Sequence, residues 1–139
     1  MKALTYAVAT ILFFTSAACK KHFPDRTLEK QIIGKWKFTG QTGGFIGKSE
    51  PANPAVTNII EFKKGGKYVR YTNGEPMFQG DYELIKAKSI YTGKADNAIR
   101  FDPKVDSPLT GNIVTLHGDT LRLADNFNDG YTSGYVRIN

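Results

Sequence analysis

Gly34-Lys35-Trp36-Lys37-Phe38 decides how the rest of this chain is read. It holds the only tryptophan, and its aromatics alternate with its lysines. A period of two belongs to a β-strand, whose successive side chains point to opposite faces, so Trp36 and Phe38 share a buried face while Lys35 and Lys37 meet water. Downstream, short apolar runs are separated by turn residues, with Gly 14 and Pro 6 in 139 residues, which suits an antiparallel all-β domain. With 40% apolar and 12% aromatic residues, the chain can build one real core.

Upstream of this strand, Thr27-Leu28-Glu29-Lys30-Gln31-Ile32-Ile33 predicts a short helix. Leu28, Ile32 and Ile33 lie on one side, Thr27 or Asp25 caps it, and Gly34 ends it. Residues 19–26 are polar and aperiodic, a tether to a domain spanning 27–139. Before them, Lys2 is followed by the uncharged run Ala3 to Ala18, which includes Ile11-Leu12-Phe13-Phe14. That run is shorter than the roughly 20 residues of a membrane span and ends in small residues, so 1–18 reads as a secretory signal peptide. Ser16-Ala17-Ala18-Cys19 resembles a bacterial lipobox, which implies that Cys19 becomes a lipidated, palmitate-type membrane anchor. The other reading of these residues is a plain signal peptide with Cys19 incidental. A lone cysteine allows no internal disulfide. Surface-exported lipoproteins of some Gram-negative groups carry acidic residues after the cysteine; Lys20 and Lys21 stand there here, pointing to the outer membrane facing the periplasm. The formal charge of +6 comes from lysines scattered along the chain, the pattern of a solvated face rather than of an anion-binding run.

Downstream, Gln41 to Val56 is the longest aperiodic stretch, with Phe45-Ile46 its lone apolar pair. Val56 to Phe62 and Lys67 to Thr72 form a hairpin around Lys63-Lys64-Gly65-Gly66. A two-residue loop sets Phe62 opposite Val69; a three-residue loop sets it opposite Tyr68. After Asn73-Gly74-Glu75-Pro76, the residues Phe78, Tyr82 and Leu84 share an inner face with Gly80, where a bend or bulge is expected. A weaker strand spans Lys86 to Thr92, another Ala98 to Phe101, and Lys104 to Gly111 is a second loop. Asn112 to Leu116 and Thr120 to Leu123 flank His117-Gly118-Asp119; a Gly118-Asp119 turn pairs Leu116 with Leu121 and Val114 with Leu123. The last strand carries Tyr135-Val136-Arg137-Ile138, and if Val136 and Ile138 face inward, Arg137 faces out. The total is eight or nine strands in one domain.

Gly34-x-Trp36, the Phe62 to Gly66-x-Tyr68 hairpin, Gly80-x-Tyr82 and Tyr135-x-Arg137, in that order behind a lipobox, resemble the small lipocalin-like lipoproteins of Bacteroidetes-type bacteria. The resemblance implies an antiparallel, up-and-down, lipocalin-like barrel of eight or nine strands with the helix as a plug. It also implies that Gly34, Trp36 and Arg137 close the barrel base, with the tryptophan packed under the arginine. The Gln41 to Val56 stretch becomes a lid, with Phe45 and Ile46 its gate; the other reading of the stretch is a surface loop that folds back on itself to hide those two side chains.

An eight-stranded barrel is just wide enough to be filled by its own side chains or to hold one small ligand. Inward candidates are Trp36, Phe38, Ile60, Phe62, Tyr71, Phe78, Tyr82, Phe101, Leu116, Leu121, Leu123 and Tyr135. Among these and the gate, Phe38, Phe45, Ile46, Phe62, Phe78, Tyr82, Phe101 and Tyr135 are the candidate contacts for a small hydrophobic or amphipathic molecule. The alternative is a filled barrel acting as an interaction or inhibitor module for an envelope protein. His22 and His117 join no Ser or Asp set at a catalytic spacing, so no enzyme and no cofactor is expected. Asp125 to Gly130 fails as a calcium loop at Phe127 and Val136, leaving no expected metal site. An envelope location disfavours nucleic acid despite Tyr68, Arg70 and Tyr71 on one strand.

Overall fold

The alternation of Trp36 and Phe38 belongs to a ten-residue strand, β1 (Gly34–Gly43), entered directly from a helix, α1 (Arg26–Ile32). A computed structural model describes residues 26–103 and 111–139. The signal segment, Cys19, the tether up to Asp25 and residues 104–110 of the second loop lie outside the described residues. After β1 come β2 (Lys48–Pro51), β3 (Asn58–Lys63), β4 (Lys67–Thr72), β5 (Glu75–Lys88), β6 (Ala95–Phe101), β7 (Asn112–His117), β8 (Thr120–Asp125) and β9 (Tyr131–Ile138). All neighbours are antiparallel, and β1 pairs with β9 as well as with β3, so eight strands close into a barrel and β2 is added outside the ring. This is the expected all-β up-and-down barrel with a short helix.

Closure depends on what the barrel base does with Trp36. Its ring is fully buried, and its indole Nε1 donates to Ile32 O at 2.8 Å, which satisfies a buried N–H with a carbonyl from the helix end. Trp36 pairs directly with Arg137 across β1 and β9, which puts both side chains on the inner face and turns Val136 outward. The Arg137 guanidinium lies 4.1 Å from the Trp36 ring centroid and donates to Ile33 O at 2.9 Å and Gln31 O at 2.5 Å. A cation over the most electron-rich ring, also facing carbonyls at a helix C-terminus, is favourable on both counts. Gly34 makes room for it: at φ +128°, a Cβ there would lie 2.9 Å from Arg137 Nη1.

Above the base, Leu28 and Ile32 from α1 join Ile60, Phe62, Tyr68, Tyr82, Ile99, Val114, Leu121 and Leu123 in one core. Phe62 packs edge-on against Tyr82 at 5.0 Å, and Tyr68 against Phe101 at 4.8 Å. The β7–β8 register is the expected one, Leu116 with Leu121 and Val114 with Leu123. The β3–β4 turn takes the three-residue form, so Phe62 faces Tyr68.

Four expectations need correction. Gln41 to Val56 is not a loop throughout: Gln41 to Gly43 continue β1, and Lys48 to Pro51 return as β2. This edge strand has no large apolar side chain on either face, so it leaves no period in the sequence, and Pro51 is tolerated where no further strand pairs. Lys86 to Thr92 is not a separate strand, because β5 runs unbroken to Lys88 and Ile90 and Tyr91 lie in a turn. Asn126 holds that turn, accepting from Ile90 N and donating to Lys88 O, both at 2.9 Å. The β5 irregularity falls at Met77 rather than Gly80, since Arg70 pairs with Phe78 and Tyr71 with Pro76. Gly80 serves close approach instead: a Cβ would run into Asp102 Oδ1 and lie 3.0 Å from the Tyr68 ring. Finally, Tyr71 faces outward, its hydroxyl donating to Glu61 Oε2 at 2.7 Å.

Replacing Arg137 by Ala removes two charge-assisted hydrogen bonds, one cation–π contact and an ion pair of its Nε with the exposed Asp119 at 3.2 Å, and is expected to cost about 3 kcal/mol of unfolding free energy. Urea denaturation measures it. A loss within the ordinary surface range of about 0.5 kcal/mol would mean that the base does not hold the barrel shut.

Candidate functional site

The eight candidate contacts separate into three places. Phe62, Tyr82 and Phe101 belong to the packed half near the helix, where Phe62 and Phe101 stack at 6.2 Å. Phe45 and Ile46 stand at the tip of the β1–β2 hairpin, 89% and 79% exposed, and form no gate. The hairpin carries them past the barrel because Gly44 to Gly47 make a tight turn of their own, closed by Gly47 N donating to Gly44 O. Only Phe38, Phe78 and Tyr135 come together at an opening, with Phe38 and Tyr135 edge-to-face at 5.6 Å.

That opening exists because β1 changes partners. From Gly34 to Lys37 it pairs with β3, and from Gly40 to Gly43 with β2, the register slipping between Phe38 and Gly40 against β9. The wall between β1 and β3 is therefore unzipped beyond Phe38. A cleft of about 390 Å³ lies there, at the end away from the helix, lined by Phe38, Ile60, Arg70, Phe78, Ser133 and Tyr135 together with rim residues such as Asn58, Thr72 and Met77. Phe78 has an inward register, opposite Arg70, yet is 54% exposed. The packed core stops below it.

Two inward residues were not among the sequence candidates. The three-residue β3–β4 turn sets Tyr68 opposite Phe62 and Arg70 opposite Ile60, so both point into the barrel. Alternation from Tyr68 carries this signal once the loop length is fixed, and the sequence left that length open. The Arg70 guanidinium lies 5.1 Å from the Phe101 ring centroid and 5.8 Å from that of Tyr68. Tyr68 Oη donates to Asp102 Oδ2 at 2.8 Å, and Asp102 Oδ1 accepts from Asp81 N at 3.0 Å. Burial, then the Asp102 acceptor, push the Tyr68 hydroxyl well above the ordinary tyrosine value. Burial also raises Tyr135, against an opposing pull from the Arg70 charge.

A larger depression of about 650 Å³ lies at the other end, between α1 and the β3–β4 turn, lined by Glu29, Lys30, Ile33, Lys64, Gly65 and Glu83 among others. It is an outer groove of mixed charge beside the packed base, so its size does not make it the better ligand site. Among the described residues, no three His, Cys, Asp or Glu side chains lie together in a way that could hold a metal ion. No protein-family model, curated protein or solved structure matches the chain.

The tyrosines give this packing a pH signature. Tyr68, Tyr82 and Tyr135 are raised chiefly by burial, and Tyr71 chiefly by its bond to Glu61. In the unfolded chain all ionise near pH ~10. Because the folded values are raised, the stability these groups contribute is fully present below pH ~10 and is lost as pH rises through the folded values. Tyrosinate absorbance should therefore show these four titrating late, with unfolding, and Tyr68→Phe should shrink the late phase. A single transition near pH ~10 with the fold intact contradicts the packing described.

Proposed function

We propose that this protein is a lipid-anchored, non-enzymatic envelope protein of the lipocalin-like kind, whose barrel holds one small hydrophobic or amphipathic molecule in the cleft between Phe38, Phe78 and Tyr135. One observation carries the binding reading: Phe78 points inward by register and still exposes 54% of its surface beside two further inward aromatics. Fully burying a phenylalanine is worth roughly 1.5–3 kcal/mol, so covering the exposed 54% of Phe78 with a bound apolar group would recover about half of that. The arrangement of Trp36 under Arg137 agrees with what the resemblance to lipocalin-like lipoproteins implies. The anchor rests on the Ser16-Ala17-Ala18-Cys19 sequence alone.

A second reading, a protein-interaction module, is favoured by Phe45 and Ile46 at the exposed hairpin tip. It uses a different surface, and the two readings separate by mutation.

A neutral apolar fluorophore such as 1-aminoanthracene is the direct probe. Saturable enhancement is expected, weakened about tenfold by Phe78→Ala, corresponding to roughly 1.4 kcal/mol of lost contact, with little change in stability. Phe62→Ala, in the packed half, is expected to cost about 3–5 kcal/mol of stability instead. No saturable binding, or binding weakened only by changes at Phe45 and Ile46, overturns the cleft assignment.

A further inference from the structure

The cleft proposed above as the binding site contains a charge that meets aromatic rings but no carboxylate among the described residues, and this inference rests on that reading. Arg70 is the one charged residue lining it among the described residues; the other side chains there are apolar, hydroxyl or amide. Arg70 is inward by register but stands at the open mouth, exposed to solvent, where an arginine's strongest pairing is with a carboxylate. Arg70 has none among the described residues: its contacts are the rings of Phe101 and Tyr68. Three carboxylates of the fold are engaged elsewhere. Asp102 is held by Tyr68 Oη and Asp81 N, Glu61 takes the Tyr71 hydroxyl on the outer face, and Glu50 is bound by Gln41 and Lys48.

The rings do more than tolerate the guanidinium. Cation–π contact to two of them restricts a side chain that otherwise loses close to 2 kcal/mol of rotamer freedom when it is fixed. The cost of ordering the fork is thus partly met before any ligand arrives, which is the condition for tight recognition. Beside it stand the Tyr135 and Ser133 hydroxyls, and below it the apolar surface of Phe38, Ile60 and Phe78. A cationic fork next to hydroxyls, opening onto an apolar wall, matches a molecule with one anionic head and one apolar body.

We infer that the cleft selects small anionic amphiphiles, with the carboxylate of an acyl or aryl acid paired to the guanidinium of Arg70 and its apolar part against Phe38, Ile60 and Phe78. Arg70 is then the specificity-determining residue, and the hydroxyls of Tyr135 and Ser133 supply the remaining hydrogen bonds to the head. A neutral molecule of the same shape binds the apolar wall but leaves the guanidinium unpaired. A cationic one is repelled, in a chain whose formal charge is already +6.

The test compares decanoate, 1-decanol and decyltrimethylammonium, each kept monomeric, as ligands of the whole protein by competition with 1-aminoanthracene. Decanoate is expected to bind roughly tenfold or more tighter than 1-decanol, the cation not to bind, and added salt to weaken decanoate alone. Arg70→Met should remove the preference while leaving 1-decanol within about twofold, and Arg70→Lys should keep part of it. The wild-type comparison needs no variant, so it stands even where a substitution disturbs folding. Equal binding of decanoate and 1-decanol overturns this inference and leaves the binding reading intact. Binding of none of the three overturns both.

Discussion

The contact of Arg137 with Trp36 ties together three parts of the chain that sequence keeps far apart. The arginine comes from the last strand, the tryptophan from the first, and the carbonyls that receive the arginine from the helix before it. Each needs the others. The buried indole N–H has its partner in Ile32 O, and the helix-end carbonyls at Gln31 and Ile33 have theirs in the guanidinium. Because Trp36 and Arg137 are also direct cross-strand partners, the contact fixes the register in which β1 meets β9. That register closes the sheet, with the short outer strand β2 left on its margin and β6 joined to β7 by only two residue pairs among the described residues, Ala98 with Ile113 and Ile99 with Asn112.

Closure at one end sets the condition of the other. With α1 plugging the base and Phe62, Tyr68, Tyr82 and Phe101 filling the lower interior, the aromatics there are spent on stability. Above Phe38 the same strand gives up β3 for β2, and the wall parts. The result is a barrel that is half core and half cleft. Its open half keeps the features the closed half does not need, an exposed inward phenylalanine and an arginine with no carboxylate partner among the described residues.

Much of this was legible in the sequence wherever one face is buried and the other wet. Trp36-Lys37-Phe38 and the Leu116 and Leu121 pairing follow directly from period two and a short turn. The helix end and Gly34 followed from position. What escaped had no such contrast. β2 is Lys48-Ser49-Glu50-Pro51, with no large apolar side chain on either face, so neither face could announce itself. The facing of Arg70 and Tyr71 hung on a single residue of loop length between Lys63 and Lys67, because one step of register exchanges the two faces of a strand. Phe45 and Ile46 looked like a gate because apolar pairs in long loops often cover something; here a hairpin carries them outward.

The most direct measurement on the central claim, a barrel filled at the helix end and receptive at the other, is chemical-shift mapping of the isotopically labelled protein during titration with decanoate. The account predicts perturbations centred on Phe38, Ile60, Arg70, Phe78 and Tyr135, with Trp36 Nε1 and the core around Phe62 nearly unmoved. Perturbations centred on the groove between Glu29 and Gly66, or on Phe45 and Ile46 at the hairpin tip, would contradict it.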